Sequence, residues 1–491
     1  MQHFDYRKAT ASVHCGDFPV ELTRGKRMAG QYDFIVIGSG PSGRRAAIQA
    51  AKLGKSVLVV EGRKRVGGVS VHTGTIPSKT LRETALNLSG WRERGFYGRS
   101  YRVKKEIGSE DLGIRLHKTL EHEVDVLEHQ FLRNGVHTME GFARFEDAHR
   151  LIVTSPDGSQ LAVEGERILI AVGTVPFRPE GIDFDDDCIL DSDEVVEIPR
   201  LPRSLTVVGA GVIGIEYATI FSALDVAVTI IEPRSTFLDF IDREIIDEFV
   251  HQLRDRGVSF RLGSPVKSVV REGNRVVCTT EDGRIVRNEM LLYCAGRMGA
   301  TDQLGLDACG LTTDGRGRLK VNADTFQTEV PHIYAAGDVI GFPSLASTSM
   351  EQGRIAACHA FELPLPPAPA YFPYGVYAVP EISTVGMSEQ EVRDKGIAYE
   401  CGIARMRETS RGHIMGLDQG MMKMIFSHKT RRLLGVHILG EGATELIHIG
   451  QAVLNLKGTV DYFIENTFNY PTLAEAYKIA ALDAWNRMPR D

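Results

Sequence analysis

The sequence predicts an α/β chain of three parts: two strand–glycine–helix–strand units in succession, then a C-terminal α+β part. Three observations predict it. Fifty of the 491 residues are glycine. Two glycine clusters with the spacing G-x-G-x-x-G follow directly on short β-branched runs. A proline-rich stretch then precedes a last segment that has no such cluster.

The first unit begins with the apolar run Phe34-Ile-Val-Ile37, which flows into Gly38-Ser-Gly40-Pro-Ser-Gly43 and a helical stretch from Arg44 to Leu53. A second strand, Ser56 to Val60, ends on Glu61. In this order the glycines permit a tight turn and close backbone approach to a pyrophosphate, while the helix N-terminus presents free N–H groups to the anion. The acid after the second strand accepts hydrogen bonds from a ribose. The pattern recurs at Leu205-Thr-Val-Val208, Gly209-Ala-Gly211-Val-Ile-Gly214, a helix through Ala223, and a strand Val226 to Ile231 closing on Glu232. Two Rossmann-like dinucleotide-binding domains, and therefore two dinucleotides, are expected.

Between them Leu116, Leu120, Val124, Leu127 and Phe131 recur at three- and four-residue spacing, which predicts an amphipathic helix. Its His117, His122 and His129 have no cysteine or carboxylate at ligand spacing, and no metal is expected. Four prolines within Leu363 to Pro369 mark a boundary. Beyond it, strand-like runs (Ile382 to Val385, Met422 to Phe426, Leu433 to Leu439) precede helices from about Ala443 to Lys457 and from Leu473 onward. Strands flanked by helices without a glycine loop predict a packing or subunit-interface module.

Composition narrows the function classes. The chain is 43% hydrophobic and 25% charged, with a net charge of −7, so it lacks the global basic footprint of a nucleic-acid binder. Its seven cysteines are scattered without C-x-x-C spacing and read as reduced, cytosolic thiols. The apolar stretch Leu205 to Ile231 is interrupted by Glu216, Asp225 and glycines, which argues against a membrane span. Residues 1–30 lack a secretory core and read as a flexible extension or as an overlong start ahead of Met28. A cytoplasmic protein is expected.

These motifs resemble those of the two-dinucleotide flavoprotein reductases that include dihydrolipoyl dehydrogenase and glutathione reductase, from Tyr32 to Trp485. Ile168-Leu-Ile-Ala-Val-Gly-Thr174 and Leu291-Leu-Tyr-Cys-Ala-Gly-Arg297 are similar to that family's two strand-turn signatures. His332-Ile-Tyr-Ala-Ala-Gly-Asp338 is similar to its second flavin motif. The resemblance implies a discontinuous FAD domain (31–178 and 303–370), an NAD(P) domain (179–302) and a C-terminal α+β dimerisation domain (371–491).

Two departures point away from disulfide reduction. Where the family carries two cysteines, this chain reads Gly67-Gly68-Val69-Ser70-Val-His-Thr-Gly-Thr75-Ile-Pro-Ser-Lys79. Hydroxyls form no disulfide, and they give no thiolate at the pKa near 8.5 that thiol chemistry exploits. Where the family places a histidine base before Pro-Thr-x-x-Glu, the chain has Tyr470-Pro-Thr-Leu-Ala-Glu475. A phenol with a pKa near 10 is a poor base at neutral pH. Dithiol and base are lost together, so the electrons of the reduced flavin must leave to a second soluble acceptor or return through the nicotinamide site, and the simplest cycle uses that site twice. The segments Gly74 to Lys79, Gly337 to Gly341 and Phe468 to Thr472 resemble those of the soluble pyridine nucleotide transhydrogenases. That resemblance implies ping-pong hydride transfer, NADPH + NAD⁺ ⇌ NADP⁺ + NADH, at one nicotinamide site. A diaphorase or oxidase and a non-catalytic flavin redox sensor are the alternatives.

By the same resemblance, Gly38, Gly40, Gly43 and Glu61 bind the adenosine diphosphate of FAD. Asp338 holds the ribityl chain, and Gly67, Gly68, Val69 and Ser70 pack by the flavin. Gly173 and Gly296 belong to the strand-turn signatures. Lys79 lies beside the flavin ring and pairs with Glu216. Gly209, Gly211, Gly214, Glu232 and Arg234 bind NAD or NADP. Glu232 favours NAD, whereas Arg234 either meets a 2′-phosphate or merely pairs with a surface acid; Arg243 lies farther along the segment. Tyr470 and Glu475 reach the partner subunit's site in a homodimer or larger homo-oligomer; for Tyr470 simple packing stands as an equal reading.

Overall fold

A computed structural model describes residues 30–98, 100–185, 187–365 and 371–488. The expectations for residues 1–29, including Met28 and Cys15, and for Pro366, Pro367 and Pro369 of the boundary stretch lie outside the described residues.

Each glycine motif opens a parallel sheet. In the first, the strand Gln31–Ile37 pairs in parallel with Val57–Glu61 on one side and Gln160–Ile170 on the other. His137–Glu140 extends the edge beyond Val57–Glu61. A late strand, Ile333–Ala335, returns to pair with Gln160–Ile170, and Arg150–Thr154 and Phe142–Phe145 close the far side in antiparallel fashion. The central strands are buried on both faces, which is why they read as unbroken β-branched runs and not as an alternation.

The second sheet is wholly parallel, in the order Ser259–Leu262, Ala227–Glu232, Ser204–Val208, Met290–Tyr293, Ile189–Asp191. A three-stranded meander, Val266–Glu272, Arg275–Thr280 and Ile285–Asn288, is appended to it in sequence. A short antiparallel ribbon carries the chain between the two units: Thr174–Pro176 leaves beside Arg297–Gly299, which returns.

The long helix Ser109–Arg133 buries Leu116, Val124, Leu127 and Phe131, with Leu120 half-buried; its His117, His122 and His129 all face solvent. After the proline-rich stretch comes a five-stranded antiparallel sheet, ordered Tyr374–Val376, Ile382–Gly386, Leu433–Leu439, Met421–Ser427, Tyr399–Arg405. Helices Ala443–Asn455 and Glu475–Trp485 cover it. The fully buried Lys423 ties this sheet to the second unit: its ammonium donates to Asp242 and Glu389, and lies 3.0 Å from Glu244. A buried cation is tolerated only with such partners.

Candidate active site

The two glycine turns are built alike. Gly38 and Gly209 hold φ of +101° and +103°, a region open to glycine but not to side chains with a Cβ. A Cβ on Gly43 would sit 1.9 Å from the Gly38 carbonyl oxygen, and one on Gly214 would sit 2.0 Å from that of Gly209. Gly40 and Gly211, by contrast, open onto free space and precede the helices Pro41–Lys52 and Val212–Ala223, neither of which has a side-chain cap. Their first N–H groups are thereby left for an anion.

Around the first turn lies a cavity of about 580 Å³, lined among others by Gly38, Gly40, Glu61, Gly68, Val69, Ser70, Thr75, Gly173 and Asp338. Ser39 organises its floor. Its hydroxyl and its N–H both donate to Glu61, and the hydroxyl accepts from Gly67 N at 2.8 Å. The opposite oxygen of Glu61 accepts from Arg63 N. Asp338, half-buried on the cavity wall, accepts no hydrogen bond from the described residues, and desolvation holds it above the usual carboxylate range, with nearby Arg297 pulling the other way. A carboxylate facing the cavity, glycines that admit a pyrophosphate and a ribose-binding acid together fit FAD. Gly43 and Gly67 do not line the cavity; they shape it, Gly43 through helix–turn contact and Gly67 through Ser39. Gly296 lies outside it as well, where its carbonyl accepts from Phe177 N.

The wall from Gly68 to Thr75 offers hydroxyls only. The Ser70 hydroxyl donates to the Gly67 carbonyl at 3.1 Å. The six described cysteines, 188, 278, 294, 309, 358 and 401, are absent from the cavity lining. Burial pushes every one of their thiols up, Cys188 and Cys278 to about 11 and Cys401 to about 12. None is an activated thiolate.

Lys79, on the helix Thr75–Leu88, reaches across to the helix Val212–Ala223 and donates to both oxygens of the buried Glu216, at 2.7 and 2.9 Å. Tyr377, which the sequence reading missed, completes this pair. Its backbone N–H donates to Glu216 at 2.9 Å, and its ring lies 4.7 Å below the Lys79 ammonium. Lys79 is not among the residues lining the large cavity.

At the second turn Glu232 accepts from Ala210 N at 2.7 Å, from Arg234 N, and from the Arg234 guanidinium at 2.7 Å. Burial alone would raise this carboxyl, but the Arg234 side chain and the backbone N–H donors outweigh it and hold it below its ordinary value. Arg234 also lies 3.5 Å from Asp239 and is 54% exposed. Arg243, by contrast, turns along its own helix to Asp247.

Tyr470 and Glu475 are not brought to this site within one chain. Tyr470 is 74% exposed with its hydroxyl 2.6 Å from Ser410 Oγ, and Glu475 accepts from Thr472 N. Arg297, also missed, locks the crossover ribbon by donating to Thr174, Ser192 and Asp193.

This arrangement defines a pyridine nucleotide-disulphide oxidoreductase. The model of that family matches residues 32–353, and that of its dimerisation domain matches residues 372–481; the chain belongs to the family, whose cofactors are FAD and NAD(P). Among its relatives is the soluble pyridine nucleotide transhydrogenase of Mycobacterium bovis (strain BCG / Pasteur 1173P2), 50% identical over 93% of this chain and 98% of the relative. The protein of that name from Shigella boydii is 40% identical, with the same coverage of both chains. Of solved structures, LpdA from Mycobacterium tuberculosis superposes with a TM-score of 0.84 at 27% identity, covering 91% of this chain and 99% of its own. The HOCl-induced flavoprotein disulfide reductase RclA from Escherichia coli gives 0.83 at 26%, covering 92% and 99%.

Proposed function

We propose that this protein is a flavin-dependent transhydrogenase that passes hydride between NADPH and NAD⁺ at one nicotinamide site, each nucleotide leaving before the other enters. The observation that carries this reading is the hydroxyl-only wall of the flavin-fitting cavity, with every described cysteine elsewhere and un-ionised. Bound FAD supplies a two-electron store between the two nucleotides.

The chain's own residues do the rest. The helix N-termini after Gly40 and Gly211 carry the two pyrophosphates. Glu61 holds the FAD ribose and Asp338 the ribityl hydroxyls. Lys79, oriented by Glu216, sets a positive charge where electron density accumulates. Glu232 accepts the ribose hydroxyls of NAD; for NADP, Arg234 leaves Glu232 and meets the 2′-phosphate, so one pocket serves both ligands.

The domain division follows the same reading: 31–178 with 303–370 for FAD, 179–302 for the pyridine nucleotide, and 371–491 for subunit contact. We place Tyr470 and Glu475 at the partner subunit's site in a homodimer or larger homo-oligomer, and the protein in the cytoplasm. Among the described residues no helix is long and apolar enough to cross a membrane.

The test is anaerobic. NADPH should bleach the flavin of the purified holoenzyme, and NAD⁺ added next should restore its absorbance with stoichiometric NADH. Reoxidation by air alone would replace this reading with an oxidase or a sensor.

A further inference from the structure

Four aromatic rings converge from three separate stretches of chain. Tyr374 is the hub: its ring centroid lies 4.9 Å from that of Phe240, 5.9 Å from Phe342 and 5.6 Å from Phe372. Its hydroxyl is buried without a hydrogen-bond partner. Phe342 stacks on it at an interplanar angle of 23° and yet is 73% exposed. A phenylalanine fixed on one face and bare on the other costs solvation without returning core packing.

Each arm of the cluster leads to the site. Phe240 lies in the loop between the strand Ala227–Glu232 and the helix that begins at Arg243, next to Asp239, which pairs with Arg234. Phe342 stands two residues before Ser344, which lines the flavin-fitting cavity. Tyr374 stands three residues before Tyr377, whose N–H binds Glu216 and whose ring underlies Lys79. Two of the three arms thus adjoin, along the chain, the flavin-fitting cavity and the Lys79–Glu216 pair, and the third adjoins the Arg234–Glu232 pair.

We infer that Phe342, stacked on Tyr374 and flanked by Phe240, is an aromatic shelf that holds the nicotinamide half of the pyridine nucleotide as it enters and leaves. This rests on the reading that the second glycine turn, with Glu232 and Arg234, takes such a nucleotide, and it adds a retention element that no glycine motif supplies. A planar, electron-poor pyridinium is the chemical class that an exposed benzene ring favours, through stacking and cation–π attraction.

Isothermal titration of the oxidised holoenzyme with NAD⁺, NADP⁺ and ADP tests the inference without turnover. F342A should raise the Kd of both dinucleotides three- to tenfold and leave that of ADP unchanged, while F342W should restore wild-type affinity. Because Phe342 is exposed, both variants should unfold at the wild-type temperature. Unchanged dinucleotide affinity in F342A would overturn the shelf and leave the transhydrogenase reading standing, and so would an equal weakening of ADP. A wild-type enzyme that binds NAD⁺ and responds to F342A as expected, but cannot pass electrons from NADPH to NAD⁺, would overturn the transhydrogenase reading alone.

Discussion

The two nucleotide units share one backbone device and differ in what surrounds it. Both place a positive-φ glycine at the strand end, a glycine opening onto free space at the helix start and a glycine too close to the turn for any Cβ. In the first unit, Glu61 is held by Ser39 and Arg63 N, and segments from Gly68 to Thr75 and from Gly337 to Ser349 wall the space in. In the second, the corresponding acid is held by an exposed arginine that can let go, and Ala295 and Gly296 lie open. Enclosure suits a resident ligand. A releasable ion pair suits one that exchanges.

The sharpest way to separate the two is to add a methyl group to each turn. G43A should yield colourless protein. G214A should stay yellow yet be reduced by NADPH about a hundredfold more slowly at fixed concentration, because overpacking of about 3 kcal/mol falls on the second turn alone. Flavin absorbance and stopped-flow reduction read these outcomes. K79A strips Glu216 of its cation and should cost about 3 kcal/mol in denaturant unfolding, a loss that E216Q with K79M partly relieves.

Next comes the releasable pair. R234A should raise the KM for NADPH about tenfold with little effect on NADH, the worth of one charge-assisted bond to phosphate. E232Q should weaken NADH instead. A parallel change for both nucleotides would dissolve the distinction between the units.

A smaller effect concerns Asp338. A half-buried acid with a raised pKa penalises the folded state at neutral pH, and the penalty is relieved as pH falls through that raised value. Flavin-free D338N should therefore melt slightly above flavin-free wild type at pH 7, the gap narrowing toward the carboxylate range, while its FAD affinity falls. Last, S70C/T75C should show no lipoamide or glutathione turnover while Tyr470 stands in place of a proton acceptor.

Much of this was legible in the sequence, because each nucleotide unit is local: strand, turn, helix and acid follow one another within about thirty residues. The Lys79–Glu216 pair was accessible only through the resemblance, since nothing in a linear pattern joins two helices so far apart. Tyr377 and the Lys423 cluster carried no signal, because each acts through partners on distant strands, and Arg297, though it closes a strand-turn signature, gave no hint of the contacts that lock the ribbon. The strands Tyr374–Val376 and Tyr399–Arg405 were missed for other reasons: one spans three residues, and the other mixes Gly402 with polar positions. Gly402 itself lies where a Cβ would meet the Ala480 carbonyl at 1.8 Å, a packing demand seen only in three dimensions. The aromatic shelf joins positions 240, 342 and 374 for the same reason.

The ribbon of Thr174–Pro176 against Arg297–Gly299 has a consequence for how such a chain can be cut and rebuilt. Departure and return run side by side, with Pro176 opposite Arg297. Everything between them is thus a cassette on two adjacent stalks. A tight hairpin joining the stalks would close the cut, but the cassette also supplies Asp242, Glu244 and Glu216, so Lys423 and Lys79 would need apolar replacements before the outer segments could stand alone.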